Sequence, residues 1–234
     1  MQKEKIKIGI IGKGQFTNFI VPHLEKYFEV YVFGREEKKE EVLRALDYLV
    51  FSVPLSSLEE VCKEVQEKVS EHTVIVDVTS VKVEALKILK QYFLNNQILG
   101  THPIFGPQSG KNGIGGLPIV LCNVSLREEK YLEVKNFLEN ILKLRVLEKT
   151  AGQHDREMAY VQGLSHFIGR ALAIMEVQDF DTATQSYRQL VNLENLVGND
   201  SWELYKTIQN GNNLTKEVRQ EFLKTLEKLE KVLY

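Results

Sequence analysis

His102 lies in "GTHPIFGPQSGKNG" (100–113), where Pro103 and Pro107 stiffen the chain and Gly106 and Gly110 turn it. A neutral imidazole held this rigidly just after a strand is suited to take a hydroxyl proton while hydride leaves the same carbon, the general-base half of an alcohol oxidation. Ser80 and Lys82, in "VDVTSVKVEAL" (76–86), also follow a strand and open a helix, so they belong to the same strand-end cleft. There the serine can orient the imidazole. A serine at such a place also serves as a helix N-cap, and a lone histidine also serves as packing.

A hydride needs an acceptor, and the first strand runs directly into "GKGQFTNFIVPHL" (12–24). Gly12 and Gly14 stand where a strand-to-helix turn lets backbone amides meet a pyrophosphate. Thr17 takes the place of the usual third glycine, and a plain tight turn fits the same residues. The cofactor-binding candidates are Gly12, Lys13, Gly14, Gln15 and Phe16, with Ser52 and Pro54 after the third strand. At the end of the second strand, "VYVFGREEKK" has Arg35 where an acid would receive the ribose 2′-hydroxyl of NAD. A guanidinium there, helped by Lys38 or Lys39, suits the 2′-phosphate of NADP. Glu36 keeps NAD in play, and the same charges also read as a solvated turn.

The elements that must position these groups are legible as periodicity. Residues 6–11, 29–33, 48–53, 73–78, 97–100, 118–122 and 144–148 are short β-branched or apolar runs, and amphipathic stretches such as 55–69 and 127–142 separate most of them. Alternation of this kind predicts an α/β fold, a Rossmann-type dinucleotide-binding domain over 1–150 with a mostly parallel sheet covered on both faces. Strand signals then stop. Residues 153–178, 181–197, 200–209 and 215–233 carry helical spacing, predicting an all-α domain over 151–234. Its first helix is apolar over much of its circumference, which predicts burial on several sides and a homodimer formed through this domain. His154, Gln162 and His166 fall within about a third of that helix's circumference at ~100° per residue. Arg188, in an apolar neighbourhood, would be satisfied by a substrate carboxylate or by an acidic neighbour. His23 and His72 read as surface residues, and Trp202 as a core or interface anchor.

Composition narrows the classes. With 43% hydrophobic residues and a net charge of −2, the 234-residue chain is globular and lacks the basic excess of a nucleic-acid binder. Cys62 and Cys122 are too few for a disulfide framework or a zinc site and read as buried thiols, and no metal is expected. No run is long and apolar enough for a signal peptide or a membrane span, so the expectation is a cytoplasmic protein.

Four blocks resemble the prephenate and arogenate dehydrogenases of tyrosine biosynthesis: "GKGQF" (12–16), "DVTSVK" (77–82), "GTHPIFGPQSG" (100–110) and "HDREMAYVQGLSHF" (154–167). "YRQL" (187–190) and "NDSWELYKTI" (199–208) add weaker support. The resemblance implies oxidation of a cyclohexadienyl ring carbinol, hydride transfer to NAD(P), and loss of the ring carboxylate as CO2. It implies that His102 accepts the hydroxyl proton, Ser80 hydrogen-bonds the hydroxyl or His102, Arg188 grips a carboxylate, and His154, Lys82 and Gln108 line the substrate site. Gln108 stands where many relatives carry an acid that could pair with arogenate's ammonium, which tilts the expectation toward prephenate. The rivals are another two-domain nicotinamide reductase or hydroxyacid dehydrogenase, and a non-catalytic NADP-sensing dimer.

Overall fold

The structure is a computed structural model that describes residues 5–35, 39–198 and 200–233. The chain divides into two compact units, Met1–Gly152 and Gln153–Tyr234.

The first unit runs β1 (Lys7–Ile11), α1 (Gln15–Leu24), β2 (Glu29–Phe33), α2 (Glu40–Arg44), β3 (Tyr48–Phe51), α3 (Leu55–Val65), β4 (Val74–Asp77) and α4 (Val83–Tyr92). It continues through β5 (Ile98–Pro103), β6 (Pro118–Asn123), α5 (Glu128–Asn136) and β7 (Arg145–Glu148). The strands form one sheet in the order β2-β1-β3-β4-β5-β6-β7, parallel throughout except where β5 meets β6. The expected α/β sheet is therefore present, with its order reversing at β1. From β1 the chain steps outward to β2, then crosses back to lay β3 on the other side of β1.

The two faces of this sheet are packed unequally. On one, α3 buries Leu58, Cys62 and Val65 and α4 buries Ala85, Leu86 and Leu89, against Leu49 and Phe51 of β3, all in one cluster. Burial pushes the Cys62 thiol up to about 12, so it stays protonated and inert, as does any thiol in apolar surroundings at neutral pH. The other face carries α1 and α5. Between those helices and the sheet lies a cavity of about 270 Å³ lined by apolar side chains, among them Ile8, Ile10, Val50, Val76, Phe16 and Phe105. Neighbouring residues of β3 show the contrast: Leu49 is fully buried, Val50 only partly.

In the second unit, α6 (Ala151–Met158) passes through a wide π turn at Ala159–Leu164 into α7 (Ser165–Ile174). α8 (Gln185–Leu193), α9 (Trp202–Gly211) and α10 (Asn213–Glu230) follow. The sequence predicts one continuous helix over 153–178; the chain instead widens at Gly163 and ends the helix at Ile174. Two contacts explain the widening. A β-carbon on Gly163 would lie 2.6 Å from the Thr215 methyl, so α10 crosses hard against this glycine. The Gly163 carbonyl also accepts a 2.7 Å hydrogen bond from Gln209 Nε2, as a turn relaxed from α-helical pairing allows. Burial on several sides is not reached within the chain, since Tyr160, Val161, Ile174 and Met175 are exposed. Among the described residues no helix is long and apolar enough to cross a membrane.

The unequal packing of the sheet gives opposite outcomes at adjacent residues. Leu49→Ala, on the filled face, should lower stability by about 2–5 kcal/mol. Val50→Ile, which adds a methyl group toward open apolar space, should raise it by ~0.5–1 kcal/mol. Chemical denaturation of the two variants checks both signs.

Candidate active site

The parallel register decides where the site is. Ile11 pairs with Phe33 and with Phe51, Phe51 with Asp77, and Asp77 with Gly100, so five strands reach the same row together. Gly12, Gly34, Ser52, Val78 and Thr101 therefore form the next row, at the carboxyl edge where open α/β sheets hold ligands. Gly12 and Thr101 stand three strand spacings apart, about 14 Å, a span on the scale of an extended dinucleotide.

At the first of these strand ends, Gly12 adopts φ +119, and a β-carbon there would sit 2.1 Å from the Ser52 carbonyl oxygen. Only glycine fits. Gly14 differs: a β-carbon would meet nothing, and this residue caps α1 without any side-chain hydrogen bond or acidic residue in the first turn. No capping side chain and no first-turn acid compete for the positive end of α1, which fits a pyrophosphate. Lys13 and Gln15 are exposed beside this turn. Thr17, in the place of the third glycine, is buried and donates a 2.9 Å hydrogen bond to Ser52 Oγ, so a hydroxyl pair replaces the bare contact of helix and strand. That bond directs the Ser52 side chain under α1, while Pro54 is exposed at the N-cap of α3. Phe16 packs among aromatic rings rather than lying open. Arg35 is exposed just past β2 and Lys39 caps α2; Glu36 and Lys38 lie outside the described residues.

The end of β4 holds a fully buried ion pair. The Lys82 ammonium bonds the Asp77 carboxylate and donates to the Thr101 carbonyl at 2.6 Å. The Thr101 hydroxyl donates to the Asp77 carbonyl at 2.8 Å, and Asp77 Oδ1 accepts the Thr79 amide at 2.9 Å. Lys82, expected to line the substrate site, is instead committed to tying the loop after β4 to the end of β5. A charge with no exposed surface needs such partners, because desolvation costs several kcal/mol per ion. The N-cap of α4 is Lys82, which removes the capping role for Ser80 and leaves that serine half-buried at the strand-end edge.

His102 is buried at the same edge, and here the structure corrects the sequence reading. It lies in β5 rather than in a loop, because β6 returns antiparallel and pairs Val120 with His102 and Ile119 with Pro103. The ladder, more than the prolines, holds the imidazole. Gln108 is exposed in the turn that follows. Unit 1 thus brings together Gly12, Gly14, Ser52, Ser80 and His102 along one edge.

In the helical unit, His154 is fully buried with Nδ1 2.7 Å from Asp155 Oδ1, and His166 Nδ1 lies 3.1 Å from Asp200 Oδ2. Each histidine has its own carboxylate, so the predicted shared face does not act as one cluster. Arg188 is exposed on α8 and makes no ion pair among the described residues. Trp202 is exposed, with the Arg170 guanidinium 4.6 Å from its ring centroid, so it is no part of a core within the chain. His72 is exposed and His23 half-buried against Phe19. Sequence reasoning missed Asp77, Thr101 and Asp155. The signal for Asp77 was an acid ending an otherwise apolar strand, with a lysine five residues on.

Residues 27–146 match the family model described as prephenate dehydrogenase, nucleotide-binding domain, and residues 171–234 match TYRAAT1-like, C-terminal domain. Arogenate dehydrogenase 1, chloroplastic, from Arabidopsis thaliana is 27% identical over 98% of this chain and 40% of its own length. A probable arogenate/prephenate dehydrogenase from Methanocaldococcus jannaschii is 27% identical over 100% of this chain and 58% of its own. The chain thus spans only about half the length of these curated relatives. Among solved structures, prephenate dehydrogenase from A. aeolicus in complex with hydroxyphenyl propionate and NAD+ superposes with TM-score 0.76 at 17% identity, covering 100% of this chain and 92% of that one.

The two glycines of the first turn should separate cleanly. Gly12→Ala, strained at positive φ and driven into a carbonyl, should cost ~1–3 kcal/mol or more. Gly14→Ala should cost less, about 0.5–1 kcal/mol, because alanine is a poorer N-cap than glycine while its β-carbon meets no obstacle. Thermal unfolding distinguishes them; equal losses would remove the argument that Gly14 is kept open for a ligand.

Proposed function

Because this chain belongs to the prephenate dehydrogenase family, we propose that it carries out that family's reaction, oxidative decarboxylation of prephenate or arogenate with hydride transfer to NAD(P). The observation that carries the proposal is the alignment of an uncapped α1 N-terminus, Ser80 and His102 along one carboxyl edge of the sheet. Gly12, Lys13, Gly14 and Gln15 hold the pyrophosphate at the helix end. The nicotinamide, when bound, supplies the hydride acceptor.

His102 takes the proton of the ring hydroxyl as the carbinol C–H bond breaks, and the C–O bond becomes a carbonyl. The bond from the ring to its carboxylate then breaks, CO2 departs, and its electron pair enters the ring as the carbonyl oxygen gains a proton and becomes a phenol. Aromatisation drives this second stage, so the protein has only to place the carbinol and deprotonate it. Ser80, free of a capping duty, orients the hydroxyl or the imidazole. Arg188 binds a substrate carboxylate through its open guanidinium, whereas His154, fully buried against Asp155, has no surface to offer a substrate. The neutral side chain of Gln108 offers no anion for an ammonium, which favours prephenate over arogenate.

Arg35, beside the end of β2, favours NADP over NAD. The exposed Tyr160, Val161, Ile174, Met175 and Trp202 of the helical unit favour a homodimer through that unit. Cys62 and Cys122, both buried and neither in a disulfide, suit a reducing, cytoplasmic setting.

Purified protein offered prephenate or arogenate with NADP or NAD should reduce nicotinamide in at least one of the four combinations, and silence in all four refutes the assignment. His102→Asn should lower kcat by about 10²–10⁴ with dinucleotide affinity retained. Arg35→Ala should weaken NADP far more than NAD; a titration showing equal effects would end the cofactor preference.

A further inference from the structure

We propose that Phe105, held between Phe16 and Phe19 of α1, is a positioning residue that sets the His102 strand end against the dinucleotide turn. This rests on the reading of His102 and of the α1 N-terminus given above. The sheet by itself leaves the two only indirectly connected, because β3 and β4 lie between β1 and β5. What joins them directly is a set of three rings. Phe105 lies 6.4 Å from Phe16 and 6.3 Å from Phe19 by ring centroids, and Phe16 lies 6.4 Å from Phe19. All three separations fall in the range where tilted and edge-on aromatic pairs attract. Phe16 is in the first turn of α1, two residues past the open Gly14, so the ring cluster grips the helix at the end that faces a phosphate.

The connection from Phe105 back to His102 is short and stiff. Pro103 closes β5, and the Ile104 amide donates to the Pro118 carbonyl at 2.9 Å, so a displacement of Phe105 has little slack to absorb it. The chain beyond Phe105 leans on the same helix. The Gly106–Gly110 turn is closed by the Gly110 amide on the Gly106 carbonyl at 2.8 Å and by the Gly106 amide on Ser109 Oγ at 3.0 Å. A β-carbon on Gly110 would lie 2.3 Å from the tip of the Phe19 ring, so the turn's backbone itself rests on Phe19.

Support from below is missing. Phe16, Phe105, Thr101 and Pro103 all line the cavity of about 270 Å³ between α1 and the sheet. Truncating Phe105 would merge its volume with that cavity and leave the segment after His102 free to sag, where a shift near 1 Å at a reacting group costs about 10²-fold in rate. The pattern explains why an aromatic residue follows the histidine by three places: it is the length of chain needed to reach α1.

The test is turnover of prephenate and arogenate at a temperature where every variant is folded, together with dinucleotide affinity by fluorescence titration. Phe105→Ala should lower kcat by about 10–100-fold while dinucleotide Kd changes by less than about threefold. Gly110→Ala, which pushes the turn off Phe19, should also lower kcat, and so should Phe19→Leu, which removes one of the two rings that hold Phe105. A purely structural role would lower the unfolding temperature without this split between kcat and Kd. Turnover by the parent with kcat within twofold in folded Phe105→Ala overturns the clamp and leaves the proposed function standing. Absence of turnover by the parent sinks the function and the clamp together.

Discussion

The constraint on which the rest depends is the common register of five strands. Ile11, Phe33, Phe51, Asp77 and Gly100 lie in one row, so every segment that could do chemistry leaves the sheet along the same edge. Reversal of strand order at β1 opens the crevice at that edge, since α1 and the chain leading to β3 depart to different sides. Given the register, Gly12 must turn within contact of Ser52, and positive φ follows from lack of room. A helix end, a serine and a histidine are then neighbours by geometry although the sequence spreads them over 90 residues, from Gly12 to His102.

Around this edge the structure uses polar burial for alignment. The Asp77–Lys82 pair has no access to solvent, and it bonds the Thr79 amide and the Thr101 carbonyl, in the loop after β4 and in β5. Such a pair adds little net stability, because attraction mostly offsets desolvation. Its effect is to leave one arrangement of β4 and β5 that satisfies both charges. Ser80 and His102 sit on the two segments so tied. Thr17 and Ser52 play a smaller version of the same part between α1 and β3, where a hydroxyl pair stands in for the missing third glycine.

The apolar packing is uneven in a way that bears on the site. The face covered by α3 and α4 is shielded from solvent, with Leu49, Phe51, Leu58 and Leu89 fully buried. The face covered by α1 and α5 keeps a cavity directly beneath the aromatic residues that follow the glycine turn and His102. Rigid sheet on one side and spare volume on the other leave the ring contacts of Phe16, Phe19 and Phe105 to hold the upper end of α1.

Periodicity alone determined the alternating strands and helices of the first unit, the switch to helices after residue ~150, and the placing of Gly12, Ser80 and His102 at strand ends. These are legible because they are local: each element buries its own stripe, and turn residues mark where it stops. The tertiary structure alone decided that His102 belongs to a strand, because its partner β6 is antiparallel and pairs through contacts 16 or more residues away in the chain. It also decided that Lys82 faces Asp77 instead of a ligand, and that the helix through Gly163 widens where α10 crosses it. Charge burial and close approach arise only when distant segments meet, and no spacing within one segment carries that information.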